Sequence, residues 1–462
     1  MGRFRTQTIG LDIDRGSLKA VQVSRGSGGY TLQHVGYHRL PPGTIADGEV
    51  ADHDLLAAEI KEFWDSHSFK GKSVILGLSN QKVVVRLVDF PRMSPEDLKT
   101  AIGYEAQDHI PMPLEEAVMD YVVLGPAAEG SDLDRILIVA AQREMISRYT
   151  SAARAGGLRP VGVDVKALAL TRSVLPQGGY DAEGAVLIMD IGSELTNLVV
   201  YQGGSPELTQ FVPGGSLYFI QAIADAADIP DEEAEKHLMN PRVRLGYALD
   251  AEQTQEGPHS EPDTRETPLD ARSTGEDTAE LDARDTAFAD EETAELRDPE
   301  SERVTPPDAA EQSGEERSEA GWEPEAGATE NGPEPDGAEE TAAEEPETSV
   351  EGPEYQWDPA LDYDVRRGLE DAVGLLAEDV QRSIDYHYSQ PGARELSQVF
   401  VTGEGALVAG IDDYLSELLG IHTLRGNPLS KIVANRSNVS DEQVRVMEPV
   451  LAVALGLAME ES

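Results

Sequence analysis

The 462-residue sequence contains no cysteine, which excludes disulfides, thiolate nucleophiles and cysteine-based metal sites. Lysine and arginine are scarce, 37 against 87 acidic residues, for a formal net charge of −50. Nucleic acid and anionic bilayers are both bound through a surplus of basic side chains, so neither is an expected partner. Long apolar runs are missing too. The longest, Val450–Met459, falls well short of the ~20 residues a membrane-spanning helix takes. The first residues show no apolar stretch of signal-peptide length. Gly2 and Thr6 fit the loose myristoylation pattern, which is short enough to arise by chance. A soluble protein is expected.

What is present is unevenly spread. Residues 251–350 hold 33 acidic and 6 basic side chains, a net of −27, which leaves −23 for the rest of the chain. That stretch has ten prolines and only seven large apolar residues: Leu269, Leu281, Phe288, Leu296, Val304, Trp322 and Val350. So few apolar groups cannot offset the entropy of ordering, and the segment is expected to be a disordered acidic spacer. A docking segment anchored by Trp322 or Trp357 is the alternative.

Outside it, the pattern is strand-rich at two places. Residues 7–13, 18–24 and 30–35 alternate apolar and polar, are joined by short polar turns, and predict a three-stranded antiparallel meander. Residues 52–68 then carry Leu55, Leu56, Ile60 and Phe63 at helical spacing, ahead of the strand 74–78. A second meander follows at 186–191, 195–201 and 208–212, with Asp190 falling on Asp12, Gly192 on Asp14 and Asn197 on Lys19. Two copies of one supersecondary unit predict a duplicated α/β fold with a cleft between two lobes. Between the copies, residues 82–165 alternate strand and helix as a small unit, whose helix opens with Ser94 as N-cap and Pro95 at the first position. Beyond the acidic stretch come a long helix (361–388), a strand (398–402), a helix (407–419) and a final helix (448–459).

Three turns at strand ends could carry chemistry. Asp12 precedes a small-residue turn and Lys19; Asp190-Ile191-Gly192-Ser193 repeats the arrangement; Thr402-Gly403-Glu404-Gly405-Ala406 joins a strand to a helix. An aspartate at a strand end can orient a hydrated divalent metal, while turn N–H groups and a lysine face phosphate oxygens.

In that order, the three turns resemble the two phosphate loops and the adenosine loop of the actin, heat-shock chaperone and sugar-kinase superfamily. The segment 89–121, DFPRMSPEDLKTAIGYEAQDHIPMPLEEAVMDY, is more specific, and resembles the PilM family of type IV pilus assembly. Residues 449–459, PVLAVALGLAM, resemble the end of that family. The resemblance covers residues 5–240 and 360–460. It implies an α/β, duplicated actin-like (RNase H-like) two-lobed fold with a small extra subdomain and a long disordered acidic insertion. The expected division is a first lobe at 1–81, completed by 166–180 and 446–462, and an extra subdomain at 82–165. The second lobe spans 181–245 and 359–445, interrupted by an insertion at 246–358. The resemblance further implies ATP with Mg²⁺ in the cleft, lined by Asp12, Lys19, Asp190, Gly192, Glu235, Gly403 and Gly405. Asp12 and Asp190 would face the metal. The implied partner is the N-terminal cytoplasmic peptide of a PilN-type inner-membrane protein, bound in an apolar groove near Val83, Val85, Leu87, Ile102, Ile110, Pro111 and Pro113. The chain would then be cytoplasmic, recruited to the membrane's inner face through that partner.

Three positions depart from the family pattern: Asp14 stands for the glycine of D-I-G, Glu404 for the middle glycine of T-G-G-G-A, and the lysine expected after Ala234-Glu235 is displaced. A carboxylate beside a triphosphate is repulsive, so ATP binding is expected and hydrolysis is not. Glu105 and Gln107 are the candidates for orienting a hydrolytic water, against a plain solvated helix face. His109 reads as a subdomain-edge residue; no H-x-x-H or H-E-x-x-H spacing suggests zinc. The glycosylation patterns at Asn435 and Asn438 mean nothing for a cytosolic chain. A small-molecule kinase of the same superfamily is an alternative, although Gly192-Ser193-Glu194 lacks the expected base-bearing aspartate. An FtsA-like filament protein is another, although the acidic end Ala458-Met459-Glu460-Glu461-Ser462 lacks a basic amphipathic membrane helix.

Overall fold

The structure is a computed structural model that describes residues 8–26, 28–128, 130–176, 184–240, 242–246 and 359–460. The acidic stretch, with Trp322 and Trp357, lies outside the described residues.

Strand β1 (Ile9–Ile13) pairs antiparallel with β2 (Ser17–Gly26), which pairs antiparallel with β3 (Gly29–Arg39). A short hairpin, β4 (Ile45–Ala46) and β5 (Glu49–Val50), leads into the helix His53–His67. That helix starts where Asp52 caps it, accepting from the N–H groups of Asp54 (3.1 Å) and Leu55 (2.9 Å). It buries Leu56, Ile60, Phe63 and Trp64, an i, i+4, i+7, i+8 stripe against the sheet. Strand β6 (Ser73–Leu78) then returns parallel to β1. β1 is buried over its whole length, as befits a strand covered on both faces.

Three strands, β7 (Val83–Pro91), β8 (Ala117–Pro126) and β9 (Leu133–Gln142), form a separate antiparallel sheet in the order β7-β9-β8. The helix Pro95–His109 packs on it through Leu98 and Ile102, around a small core with Phe90, Ile110, Ile136 and Ile138. Ser94 caps this helix as predicted, accepting from the Asp97 N–H at 3.2 Å.

The chain then re-enters the first lobe earlier than expected. The helix Arg143–Ala155 buries Met145, Tyr149, Ala152 and Ala153 in the main core, and β10 (Arg159–Val165) pairs parallel with β6. Residues 143–165 are therefore part of the first lobe's sheet and core, and the inserted subdomain closes near Gln142. Strand–helix alternation identifies the elements but not the sheet each strand joins, since that is decided by long-range pairing.

The second lobe repeats the first. β11 (Ala185–Ile191), β12 (Leu195–Gln202) and β13 (Ser205–Pro213) form the meander, and β14 (Leu396–Thr402) and β15 (Thr423–Arg425) follow parallel to β11. The order β13-β12-β11-β14-β15 matches β3-β2-β1-β6-β10 strand for strand. The expected duplication therefore holds at the level of sheet topology, and Asp12↔Lys19 and Asp190↔Asn197 occupy the same register in their copies. Helices Ser216–Ala227 and Pro359–Ser389 pack against this sheet through Phe219, Ile223, Leu369, Val373 and Val380.

Two C-terminal pieces return to the first lobe. β16 (Ile432–Asn435) extends its sheet beside β3, and the helix Asp441–Met447 places Val444 against Val21, Val23 and Leu32. Residues 432–445 thus leave the second lobe to which contiguity in sequence assigned them. The helix Ala452–Ala458 lies against β1 and the helix Lys166–Val174. Its small residues allow very close approach: a Cβ on Gly10 would sit 2.0 Å from the Ala454 carbonyl oxygen, and one on Gly456 1.9 Å from that of Ala169. The helix Lys166–Val174 joins the lobes, sharing one core with Val186, Ile188 and Val199 of the second sheet.

Candidate functional site: the interlobe cleft

The carboxyl ends of β1 and β11 face each other, and the turns after them bring charged groups together in partial burial. Lys19 is 2 % exposed. Its Nζ lies 3.3 Å from Glu404 Oε1, 3.6 Å from Asp12 Oδ2 and 3.6 Å from Asp14 Oδ2. The Nζ of Lys166, 6 % exposed, lies 2.7 Å from Asp12 Oδ1 and donates to the Ile13 carbonyl at 3.0 Å. Burial alone would lower both lysine pKa values, but the facing carboxylates outweigh it and hold both above their usual range: Glu404, Asp12 and Asp14 at Lys19, Asp12 and Asp14 at Lys166. For Asp14, burial pushes the pKa up, yet Lys166, Lys19 and the N–H groups of Arg15 and Ser193 hold it well below the ordinary carboxylate range. Asp190 goes the other way. Burial and then the Asp12 charge push it up to about 6, against the opposing pull of Lys19, the Thr402 hydroxyl and Lys166. Its Oδ1 accepts from Thr402 Oγ1 at 2.9 Å and its Oδ2 from Asn197 Nδ2 at 3.2 Å.

Glu404 is the most connected group. Its Oε1 accepts from Ser17 Oγ at 2.7 Å, and its Oε2 from Ser193 Oγ at 2.9 Å and Ser216 Oγ at 3.0 Å. Ser17 belongs to the first lobe's turn, Ser193 to the second lobe's, and Ser216 opens the helix Ser216–Ala227. The positive end of that helix adds to the attraction. Burial alone would raise the Glu404 pKa; Lys19 and the Ser17 and Ser193 hydroxyls outweigh both burial and the Asp14 charge and hold it down.

Other contacts close the cleft. Arg15 pairs with Glu194, whose Oε2 accepts from the Asp47 N–H at 3.2 Å. The Ser193 N–H donates to Asp14 Oδ2 at 3.3 Å, and the Ser79 hydroxyl donates to Asn197 Oδ1. Arg39 holds Glu235 with both guanidinium nitrogens. That pair borders a chamber of about 340 Å³, lined by Leu238, Met239, Leu407, Met447 and Val450, with Glu404 at its edge.

The structure brings Asp12, Lys19, Asp190, Gly192, Gly403, Gly405 and Glu235 to one cleft. The glycines are there for close approach. Gly403 has φ +86°, and a Cβ on it would lie 2.3 Å from the Ile191 carbonyl oxygen; a Cβ on Gly405 would meet the Ile191 side chain at 2.3 Å. Glu404 between them has φ −65° and ψ −37°, so its backbone needs no glycine. Lys166 and Arg39 were not among the expected cleft residues. The legible signal for Lys166 was a lysine opening an otherwise apolar helix, Lys166-Ala167-Leu168-Ala169-Leu170, against the sign of the helix dipole.

Two expectations find no support in the cleft's contacts. Gln107 is exposed on the subdomain helix, and none of the cleft contacts described above involves that helix; the Glu105 side chain lies outside the described residues. The Mg²⁺ role of Asp12 and Asp190 does not fit either. Both Asp12 oxygens face an ammonium group and both Asp190 oxygens accept from neutral donors. Among the described residues no cluster of acidic and histidine side chains is arranged to hold a metal ion. The implied nucleotide meets a divided site: the apolar chamber has room beside it, but the hydroxyl and ammonium donors at the two phosphate turns are already engaged by the Glu404 carboxylate.

The expected partner residues also separate. Val83, Val85, Ile102 and Ile110 are core residues, 6 %, 5 %, 0 % and 4 % exposed, the first two in the core shared with the first lobe and the last two in that of the subdomain. Leu87 is half-buried, and Pro111 and Pro113 are exposed. Val83, Val84, Arg86 and Pro111 line a groove of about 700 Å³ whose other wall is Thr209–Pro213 of β13, with Arg382 and Tyr386 of the helix Pro359–Ser389. Its far wall belongs to the second lobe.

Comparison with known proteins agrees with this architecture. A solved structure described as the "PilM-PilN type IV pilus biogenesis complex" superposes with a TM-score of 0.61 at 22 % identity, covering 98 % of each chain. The ethanolamine utilization protein EutJ of Carboxydothermus hydrogenoformans gives a TM-score of 0.44 at 11 % identity, over 98 % of this chain and 88 % of that one. MreB5 of Spiroplasma citri, solved with ADP, gives 0.42 at 12 % identity, over 98 % and 95 %. The profile of the family "Type IV pilus assembly protein PilM" matches residues 10–250 and 364–462. With most of its length matched to that profile on a duplicated two-lobed α/β frame, the chain belongs to the PilM family of type IV pilus assembly proteins.

Proposed function

We propose that the protein is a cytoplasmic, actin-like scaffold of a type IV pilus machine that captures the N-terminal cytoplasmic peptide of a PilN-type inner-membrane protein and is recruited to the membrane through it. Family membership carries this reading, together with the three-stranded subdomain inserted between β6 and β10. The groove at its edge supports it. β7 and β13 are terminal strands of their sheets and both border that groove, so an extended peptide would find main-chain partners beside the half-buried ring of Phe211. Among the described residues no helix is long and apolar enough to cross a membrane. Nucleotide is proposed as a modulator at most, its base received by the chamber beside Glu235 and Leu238.

Fluorescence anisotropy with a labelled PilN-type N-terminal peptide tests the reading. Micromolar binding is expected, weakened at least tenfold in Phe211→Glu with an unchanged melting curve. Absence of binding by the wild type at tens of micromolar, with and without ATP, would overturn it.

A further inference from the structure

The turn Thr402–Ala406 carries a carboxylate where a glycine would leave open space, and that carboxylate is not idle. Three serine hydroxyls from three separate elements and one buried ammonium converge on it, at 2.7, 2.9, 3.0 and 3.3 Å. Hydroxyls on strand-end turns, a lysine and a helix N-terminus are the set of donors that a phosphate group takes. They come from both lobes, so the anion that satisfies them also ties the lobes together. Around it Arg15–Glu194, Asp14–Ser193 and Ser79–Asn197 link the same two turns and their flanks.

We propose that Glu404 is a resident intramolecular anion seated in the cleft's phosphate position, clasping the two lobes and excluding polyphosphate ligands. A phosphate chain entering this seat would have to displace the carboxylate from all four donors. It would also have to approach Asp12 and Asp14, which together with Glu404 already outnumber the two ammonium groups of Lys19 and Lys166. The backbone permits the arrangement at no cost, because residue 404 is in an ordinary right-handed conformation while the flanking Gly403 and Gly405 absorb the close contacts with Ile191. The clasp between the lobes is then a property of the chain itself. This rests on the nucleotide part of the reading above and narrows it to weak entry of a polyphosphate against the resident carboxylate; peptide capture is measured separately and does not depend on it.

The test is calorimetric titration of inorganic tripolyphosphate and of ATP, each with Mg²⁺, into the full chain as wild type, Glu404→Gln and Glu404→Gly. Tripolyphosphate should bind Glu404→Gly at least tenfold more tightly than wild type, with Glu404→Gln between them and ATP following the same order. Inorganic phosphate at millimolar concentration should raise the melting temperature of Glu404→Gly and leave that of wild type unchanged. If wild type binds tripolyphosphate as tightly as the variants, or if the emptied seat binds neither ligand, the proposal is overturned. Should Glu404→Gly fail to fold, Glu404→Gln decides alone: a gain of threefold or more upholds the proposal and a smaller one ends it.

Discussion

Replacing Lys166 by methionine probes the charge balance of the cleft most directly. The side chain is 6 % exposed, its Nζ is 2.7 Å from Asp12 Oδ1, and it donates to the Ile13 carbonyl. Methionine keeps the length of the stem and removes the charge. Breaking a buried ion pair by deleting one partner typically costs about 3–5 kcal/mol, because the other charge stays buried. Asp12 keeps Lys19 at 3.6 Å, which puts the expected loss at the lower end, about 3 kcal/mol. Urea unfolding should show this as a lower midpoint at unchanged slope. The double variant Asp12→Asn, Lys166→Met removes both charges and should recover about 1–3 kcal/mol relative to the sum of the singles. A loss under about 1 kcal/mol for Lys166→Met, or strict additivity in the double variant, would refute the view that Asp12 depends on Lys166.

Other consequences are equally open to measurement. Asp190, raised to about 6 in the fold against about 3.9 in an unfolded chain, is protonated in both states below pH ~4, and its burial costs nothing there. As pH rises from about 4 to 6 the unfolded chain ionises first, so stability falls, by roughly 3 kcal/mol in all at about 1.4 kcal/mol per pH unit. Asp190→Asn should therefore gain on wild type across that window; Asp14 and Glu404, held down in both proteins, cancel in the comparison, and a difference that stays flat with pH would sink the argument. Gly456→Ala places a Cβ 1.9 Å from the Ala169 carbonyl and should cost about 3 kcal/mol or more. Gly374→Ala, in the long helix with nothing within 4 Å of the new Cβ, should instead stabilise by about 0.5–1 kcal/mol. Calorimetric or chemical melts of the two variants side by side check both signs.

The legible part of this protein was what local pattern controls. Short apolar runs separated by polar and glycine turns in residues 7–35 and 186–212 marked the two meanders, because turn residues punctuate strands wherever those strands end up. The equivalence of Asp12 with Asp190 followed from that repeat, and the sheets keep it in register. The segment 89–121 pointed to the family whose profile matches the chain. Less was legible wherever partners are distant. β10 read as part of the subdomain because it is contiguous with it, yet its hydrogen bonds go to β6. Ile102 and Ile110 read as groove residues because they are apolar and near a specific motif, yet the same apolarity put them inside the subdomain core.

Sequence by itself therefore determined the elements, the duplication and the presence of three loops rich in glycine and carboxylates. It also showed that Glu404 stands where the family pattern has a glycine, which reads as a charge that should repel a phosphate. Only the tertiary structure decided what that charge does instead. Ser17, Ser193 and Ser216 are separated from Glu404 by 387, 211 and 188 positions along the chain, and a hydrogen bond requires approach to about 3 Å. No local pattern encodes such a distance; it arises when two lobes built on copies of one meander close with their turns facing each other.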